Sequence, residues 1–467
     1  MVIHTAGFCS QFFRRTAAFS VPLRVFRTPW TRQSIHVDFP PIVPTLTTSY
    51  VHGTSSKALL HDTVAEALQK SVERWPDREA MVFLEDGVRK TYAEFQQDVD
   101  RAAAGLLALG LKKGDRLGMW GPNTYEWVLF QFATAKAGII QVNPGCRGKQ
   151  KPTILITNMF LCDEEECLVV SLINLHQHKL LTKGLINYAC SSKGILLFLS
   201  GRCTYVYGTP TMYVDMLNQP DLAKYDLSSI EGGIMAGSPC PPELVKKVVL
   251  RMGIKEMTIG YGTTENSPVT FLGCPLDNME RKCETVGYIL DHVEAKIVNP
   301  TTGQIVPLGT KGEIMIRGYC VMLEYWSEQA KTQECITKEG WYKTGDIGSL
   351  DAYGYCKIDG RIKDMLIRGG ENIYPAEIEQ FLHTHPKVKE AQVVGVKDPR
   401  MGEEVCACIK LVDGQECTAE EIKAYCRGQI AHYKIPRYIL FVTSFPLTVT
   451  GKIQKQKLRE EAEKQLN

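Results

Sequence analysis

The sequence predicts an α/β protein, with a large N-terminal domain of helix-flanked sheets and a smaller α+β C-terminal domain. Three observations carry that expectation. The chain has 467 residues, too many for one ordinary core. Residues 60–145 alternate helical and strand signals, and a β-α-β-α order predicts a parallel sheet with helices on its faces. Beyond Arg361 the pattern changes to shorter mixed elements, which places a domain boundary near residue 362.

Taken in order, VAEALQKSVERW after Thr63 is apolar at helical spacing and stops at Pro76-Asp77. AMVFLEDG reads as a strand ending in a turn, and VRKTYAEF as a strand running into a helix. Thr91 is a suitable N-cap there, with Glu94 three residues on as its capping-box partner. The helix pattern DVDRAAAGLLALG ends at Gly110. A strand pattern then reaches Trp120, and a helix pattern from Asn123 is closed by Gly138. Residues 145–206 break this grammar. An acidic run, Asp163 to Glu166, precedes apolar stretches with no clean period, and such local inconsistency argues against well-formed elements.

From Tyr207 the regular pattern resumes. Pro241-Pro242-Glu243 opens a helix over ELVKKVVLRM, with proline where a helix start accepts it. EMTIGYG reads as a strand. Residues 294–360 hold short strands between Gly and Asp turns, GEIMIRG and YGYCKIDG among them. The C-terminal pattern is helix AEIEQFLHTH, strands AQVVGVKD and EEVCACIKLV, helix AEEIKAYCRGQI and strand YILFVTS.

Composition narrows the function. A net charge of +2 and the lack of basic runs interleaved with aromatics argue against a nucleic-acid partner. No stretch approaches the roughly 18–20 uninterrupted apolar residues of a membrane span. The 16 cysteines are scattered, without the paired C-x-x-C spacing of a zinc site, so reduced thiols packed as small hydrophobes are expected. His383-Thr384-His385-Pro386 reads as a surface turn rather than a metal site. Residues 1–37 contain Arg14, Arg15, Arg24, Arg27 and Arg32 but no Asp or Glu, which predicts a mitochondrial transit peptide.

Four clusters carry residues that nucleotide chemistry needs. Tyr261-Gly262-Thr263-Thr264-Glu265 follows an apolar strand, where open α/β sheets bind ligands. Tyr261 there could lie against a purine, the threonines touch phosphate and Glu265 ligate Mg2+; a polar turn is the alternative. In Tyr342-Lys343-Thr344-Gly345-Asp346, a carboxylate after a Thr-Gly turn could accept two ribose hydroxyls, or merely satisfy its own backbone. Gly360 to Pro375 joins a charged GRIKD, suited to a hinge, to Gly369-Gly370, which allows close backbone approach. Lys452 follows Gly451 in PLTVTGKI, where a mobile loop could carry a cation to developing charge.

Together and in this order, YGTTE, GEIMIRG, YKTGD, GRIKDMLIRGGENIYPAEIE and PLTVTGKI closely resemble the motif series of the adenylate-forming superfamily, which includes acyl-CoA synthetases. The resemblance covers about residues 55–145 and 207–467, and within the superfamily it leans towards mitochondrial medium-chain acyl-CoA synthetases. It implies a mobile C-terminal domain and two half-reactions. A fatty acid carboxylate attacks the α-phosphate of Mg-ATP, giving acyl-adenylate and pyrophosphate; the thiol of coenzyme A then displaces AMP. It further implies that Gly237, Ser238 and Tyr261 border adenine, that Thr264 and Glu265 address phosphate and Mg2+, and that Asp346 and Arg361 hold the nucleotide. Lys363 would be the hinge, Gly370, Glu371 and Asn372 would line the CoA path, and Lys452 would contact the forming adenylate. The domains implied are 1–37 as transit peptide, 38–362 as the AMP-binding domain and 363–467 as the C-terminal domain.

One family element is missing. No TSGTTG-x-PKG-like phosphate loop exists anywhere in the chain. Thr182-Lys183-Gly184 and Ser191-Ser192-Lys193-Gly194 lack the run of small residues that wraps phosphates with backbone N–H groups. The aromatic-His element of the family's acyl tunnel is absent too, and His176 and His178 lie in no matching context. The expectation is therefore an internally truncated ligase of impaired activity. The alternative is a non-catalytic form that binds nucleotide, CoA or a partner.

Overall fold

The computed structural model describes residues 41, 43–83, 86–120, 124–142, 158–162, 167–171, 204–220, 222–447 and 453–466. The expected transit segment and Lys452 lie outside them. The chain divides into two compact units, one of residues 58–200 and one of 1–57 with 201–467. Strand β1 (Tyr50–His52) belongs to the second and is taken up there.

In the smaller unit, α1 (Val64–Arg74) starts at Thr63, whose hydroxyl accepts the Glu66 N–H while the Glu66 carboxylate accepts the Thr63 N–H. Strands β2 (Glu79–Phe83) and β3 (Val88–Thr91) pair antiparallel. The predicted capping box of Thr91 and Glu94 opens α2 (Tyr92–Ala108). Then come β4 (Arg116–Trp120), α3 (Tyr125–Ala137) and β5 (Ile140–Val142). Gly138 ends α3 at φ 75°, a left-handed conformation that costs glycine nothing. The core beneath these elements is Phe95, Leu106, Leu117, Phe132 and Ala133, with Phe95 and Phe132 edge to face at 5.1 Å.

Two expectations change in this unit. Only β4 and β5 run parallel among its described strands, because β2 and β3 are joined by a connection too short for the crossover that parallel pairing needs. The stretch with no predicted element supplies β6 (Asn158–Cys162) and β7 (Cys167–Ser171), which extend the sheet in the order β5-β4-β6-β7. Each is a five-residue, mainly apolar run, flanking the acidic residues 163–166. A short continuous apolar run cannot be told from a buried helix segment by periodicity.

The larger unit carries the expected parallel sheet. β8 (Tyr205–Gly208), α4 (Pro210–Leu217), β9 (Gly232–Ala236), α5 (Pro242–Met252) and β10 (Glu256–Tyr261) alternate, and the three strands are parallel. β11 (Phe271–Leu272) and β12 (Tyr288–Ile289) extend it antiparallel. A second, antiparallel sheet has the order β1-β13-β14-β15-β16, from β13 (Val293–Val298), β14 (Gly312–Gly318), β15 (Tyr342–Leu350) and β16 (Cys356–Arg361). Its inner face buries Val51, Val293, Ala295, Ile297, Ile314 and Ile316.

After β16 come β17 (Leu366–Arg368), β18 (Glu371–Ile373), α6 (Pro375–Leu382), β19 (Val388–Asp398), β20 (Gly402–Leu411), α7 (Ala419–Cys426), β21 (Tyr438–Phe441) and α8 (Lys455–Leu466). The sheet order is β18-β17-β20-β19, with β21 parallel to β20. Residues of β20 alternate faces. Val405, Ala407 and Ile409 enter the core with Ile378, Leu382 and Ile422, while Cys406 and Cys408 pack as free thiols against Leu458 and Ala462 of α8. The His383–Pro386 segment is the expected turn, with Thr384 and Pro386 exposed, but its two histidines are partly or fully covered. His385 is buried with its ring edge-on to Tyr425 at 4.7 Å, and burial, with Lys247 adding, pushes His383 down to about 4. No helix among the described residues is long and apolar enough to cross a membrane.

Candidate functional site

β9 and β10 are paired so that Ala236 lies opposite Gly260. Their carboxyl ends therefore set Gly237-Ser238 beside Tyr261, at the edge where α/β sheets bind ligands. Gly237 has φ 92°, a left-handed turn directly after β9. The Tyr261 phenol donates a 2.6 Å hydrogen bond to Oδ2 of Asp346.

Asp346 does not follow a turn, which corrects the sequence reading. It lies within the nine-residue β15, and Thr344-Gly345 is a bulge: the pairing with β14 slips between Glu313 and Met315, and Gly345 takes φ 69°. The Thr344 hydroxyl donates to the Ile314 carbonyl at 2.8 Å and accepts the Asp346 N–H at 3.0 Å, while the Gly345 N–H donates to Glu313 Oε1 at 3.2 Å. A bulge re-aims the side chain that follows it. Across the sheet, Asp346 stands opposite Arg361 of β16, whose Nε is 3.1 Å from Oδ1.

Asp346 is only 4% exposed. Burial pushes its carboxyl above the usual aspartate range, while Tyr261, Arg361 and Lys363 pull the other way. Burial and the neighbouring Asp346 hold the Tyr261 phenol firmly protonated, as a donor. Burial also raises Glu313 behind the bulge. The result is a desolvated carboxylate with one donor on each oxygen, and each oxygen keeps a further lone pair for a ligand hydroxyl.

Thr264 and Glu265 begin a single 3-10 turn, Thr264–Asn266, beyond β10. Thr264 is exposed. Glu265 Oε1 accepts from the Tyr325 phenol at 2.7 Å, and its carbonyl accepts the Met322 N–H. Burial and Glu265 push Tyr325 up. The second carboxylate oxygen of Glu265 has no partner among the described residues, so it can serve a hard cation. Among the described residues no group of three or more His, Cys, Asp or Glu side chains is gathered there. A Mg2+ ion would therefore bring phosphate oxygens and water as its other ligands, as this ion commonly does.

Of the remaining predicted residues that are described, Lys363 acts on Asp346 through its charge, while Gly370, Glu371 and Asn372 belong to the next hairpin. Gly369 and Gly370, at φ 57° and 91°, form the tight turn between β17 and β18, and Glu371 and Asn372 are exposed on β18. Lys363 lies in a 3-10 turn directly after β16. Sequence reasoning missed Tyr325, Glu313 and Asn266. Asn266 is fully buried and neither its amide oxygen nor its amide nitrogen has a partner among the described residues. None of the three carries a local signal, since their environments come from residues distant in the chain.

The AMP-binding enzyme family matches residues 68–147 and 193–326, and the AMP-binding enzyme C-terminal domain matches 377–452. The chain is 54% identical to the mitochondrial medium-chain acyl-CoA ligase ACSF2 of Danio rerio, over 94% of this chain and 95% of that relative. It is 42% identical to the Homo sapiens ACSF2, over 90% of each. A putative acyl-CoA synthetase of Bacillus subtilis, YngI, is 34% identical over 88% of this chain and 98% of its own. The Danio alignment runs over 578 positions while 94% of 467 residues is about 439, so roughly 140 positions of that relative have no counterpart here. Among solved structures, the anthranilate CoA ligase AuaEII in complex with anthranoyl-AMP has a TM-score of 0.73 at 22% identity, covering 88% of this chain and 99% of that one. ATP-bound MatB from Rhodopseudomonas palustris has a TM-score of 0.68 at 22% identity, covering 82% and 95%; at this identity both likenesses concern the fold. The chain therefore belongs to the AMP-binding enzyme family, in which its curated relatives are acyl-CoA ligases.

Proposed function

We propose that this chain is an ATP-dependent fatty acid–CoA ligase of the medium-chain class, working through an acyl-adenylate, in a shortened form whose turnover is impaired. The observation that carries the nucleotide reading is Asp346, a buried carboxylate aimed by a bulge and held by Tyr261 and Arg361. In this reading Asp346 takes the ribose hydroxyls, Gly237 and Ser238 border the adenine with Tyr261, and Arg361 neutralises charge beside them. Thr264 and Glu265 face phosphate and Mg2+, which would screen charge on the transferring group. Lys452 contacts the reacting carboxylate, and Gly370, Glu371 and Asn372 line the path of the CoA thiol after the C-terminal domain, from residue 363, turns about Lys363. The relatives' names and the arginine-rich residues 1–37 support a mitochondrial location.

Impairment follows from the missing phosphate loop and the roughly 140 unmatched positions. Each preorganised donor lost from a transition state costs about 3–4 kcal/mol. The same shortfall favours a second reading, a form that binds nucleotide or CoA without turning over.

The test is octanoate-dependent AMP release by the full chain with Mg-ATP and CoA, against a Lys452→Ala control. Turnover within the ordinary range of about 1–1000 per second would refute the impairment. Slow release that vanishes in the control supports the ligase reading. No release above the control, from a sample that still binds AMP, moves the assignment to the second reading.

A further inference from the structure

We propose that Lys311 is a positioning residue that latches the small C-terminal domain across the hinge, through Asp359 and the ring of Tyr374. This rests on reading residues 360–364 as the hinge. Lys311 stands in the turn directly before β14. Its Nζ lies 2.7 Å from Oδ1 of Asp359, on β16, and 5.3 Å from the ring centroid of Tyr374, the residue that opens α6. Tyr374 also packs over the hinge strand itself. Its Cβ and Cδ1 are 3.8 Å from the point where a side chain on Gly360 would begin, and Gly360 takes φ 151°, open to glycine. One ammonium, carried on a large-domain turn, thus touches both the hinge strand and the residue that opens the first helix of the small domain.

The chemistry makes the contact directional. The Asp359 side chain is 9% exposed and its Oδ2 has no partner, so Lys311 is the only cation within ion-pair distance among the described residues. Removing one partner of such a pair leaves an uncompensated charge out of water. Burial works against the Lys311 charge, yet Asp359, with Glu377 and Tyr374 adding, holds its proton on above the ordinary lysine range. Of the two contacts Lys311 makes, the cation–π one reaches the residue that opens α6, and rotating the small domain breaks it.

The hinge region carries its own reporters, Arg361, Lys363 and Arg368, after which trypsin cuts faster when the segment opens. The experiment compares tryptic cleavage at these three positions in the full chain for wild type, Lys311→Met, Lys311→Arg, Tyr374→Leu and Tyr374→Phe. Cleavage elsewhere and the thermal midpoint are followed alongside. Lys311→Met and Tyr374→Leu should accelerate hinge cleavage by about fivefold with other sites unchanged. Lys311→Arg and Tyr374→Phe, which keep the cation and the ring, should stay near wild type. Unchanged hinge cleavage in Lys311→Met overturns the latch, as does uniform acceleration along the chain with a lowered midpoint. Failure of the ligase reading would show in AMP release and leaves this readout untouched. No cleavage at the three positions in any of the five proteins, while other sites are cut, would instead sink the hinge reading, and the latch with it.

Discussion

Tyr261→Phe keeps the ring and removes one oxygen, which isolates the contact on which the nucleotide reading leans. The phenol lies 2.6 Å from Asp346 Oδ2, and Arg361 serves the other oxygen at 3.1 Å. The variant therefore leaves one oxygen of a buried carboxylate unanswered. A hydrogen bond to a charged group contributes roughly 1.5–3 kcal/mol net, and about 2 kcal/mol is expected here because Arg361 remains. The sign with pH follows from the direction of the Asp346 shift. Its folded pKa already lies above the usual aspartate value, so burial of the ionised form costs stability above that pKa, and the cost falls away as pH drops through it. Losing the phenol, which pulls the carboxyl down, moves it further up. The penalty of Tyr261→Phe should thus be full near neutrality and shrink as acid protonates Asp346.

Native-state hydrogen exchange of the β15 and β16 amides reads the local opening energy directly. AMP affinity by calorimetry reads the consequence for binding, expected to weaken about tenfold, or 1.4 kcal/mol. Unchanged exchange protection would refute the energetic argument. Tighter AMP binding would refute the functional one, since it would mean that Tyr261 competes with the ribose for Asp346 rather than orienting it.

Two further outcomes follow from single residues. Asn266→Leu should raise the ligand-free thermal midpoint, because neither amide atom has a partner and an apolar residue of similar size removes that unmet demand; a lowered midpoint would show that the amide is satisfied through water. Gly345→Ala and Gly287→Ala should separate sharply in urea unfolding. Both positions have positive φ, but a Cβ on Gly345 meets nothing within 4 Å, whereas on Gly287 it falls 2.0 Å from the Leu272 carbonyl carbon. The first should cost about 1–2 kcal/mol and the second should prevent folding of β11 against β12; equal effects would refute the argument from close approach.

What could be read in the sequence was the chemistry that acts over a few residues. Thr91 with Glu94, Pro242 at a helix start and Gly138 at a helix end behave as expected because a cap's partners lie within a turn of it. The resemblance marked Asp346 as a candidate for the ribose, yet its local setting was not readable. The bulge that aims it depends on Glu313 and Ile314, about thirty residues upstream, and its partners Tyr261 and Arg361 arrive through strand register. Tyr325 and Lys311 were invisible for the same reason: a lone tyrosine and a lone lysine in turns acquire meaning only when Glu265 and Asp359 are brought to them. Strands β6 and β7 escaped for a different reason, since short continuous apolar runs do not alternate and periodicity cannot tell them from a buried helix segment.

The sources of the site residues also bear on what the internal shortening does. Asp346, Arg361 and the Glu313 support come from adjacent strands of one antiparallel sheet, and Tyr261 from the end of the neighbouring parallel one. None of these contacts draws on residues 145–206, where the phosphate loop would have preceded Tyr207. The half of the site proposed to face the nucleoside is thus assembled independently of the half proposed to face phosphate. Binding energy for AMP and stabilisation of charge at the transferring phosphate are separable quantities. A chain that keeps the first and lacks the second should hold AMP and ATP with similar affinity, because the extra phosphates meet few added donors. The shortened region then governs rate far more than it governs nucleotide binding.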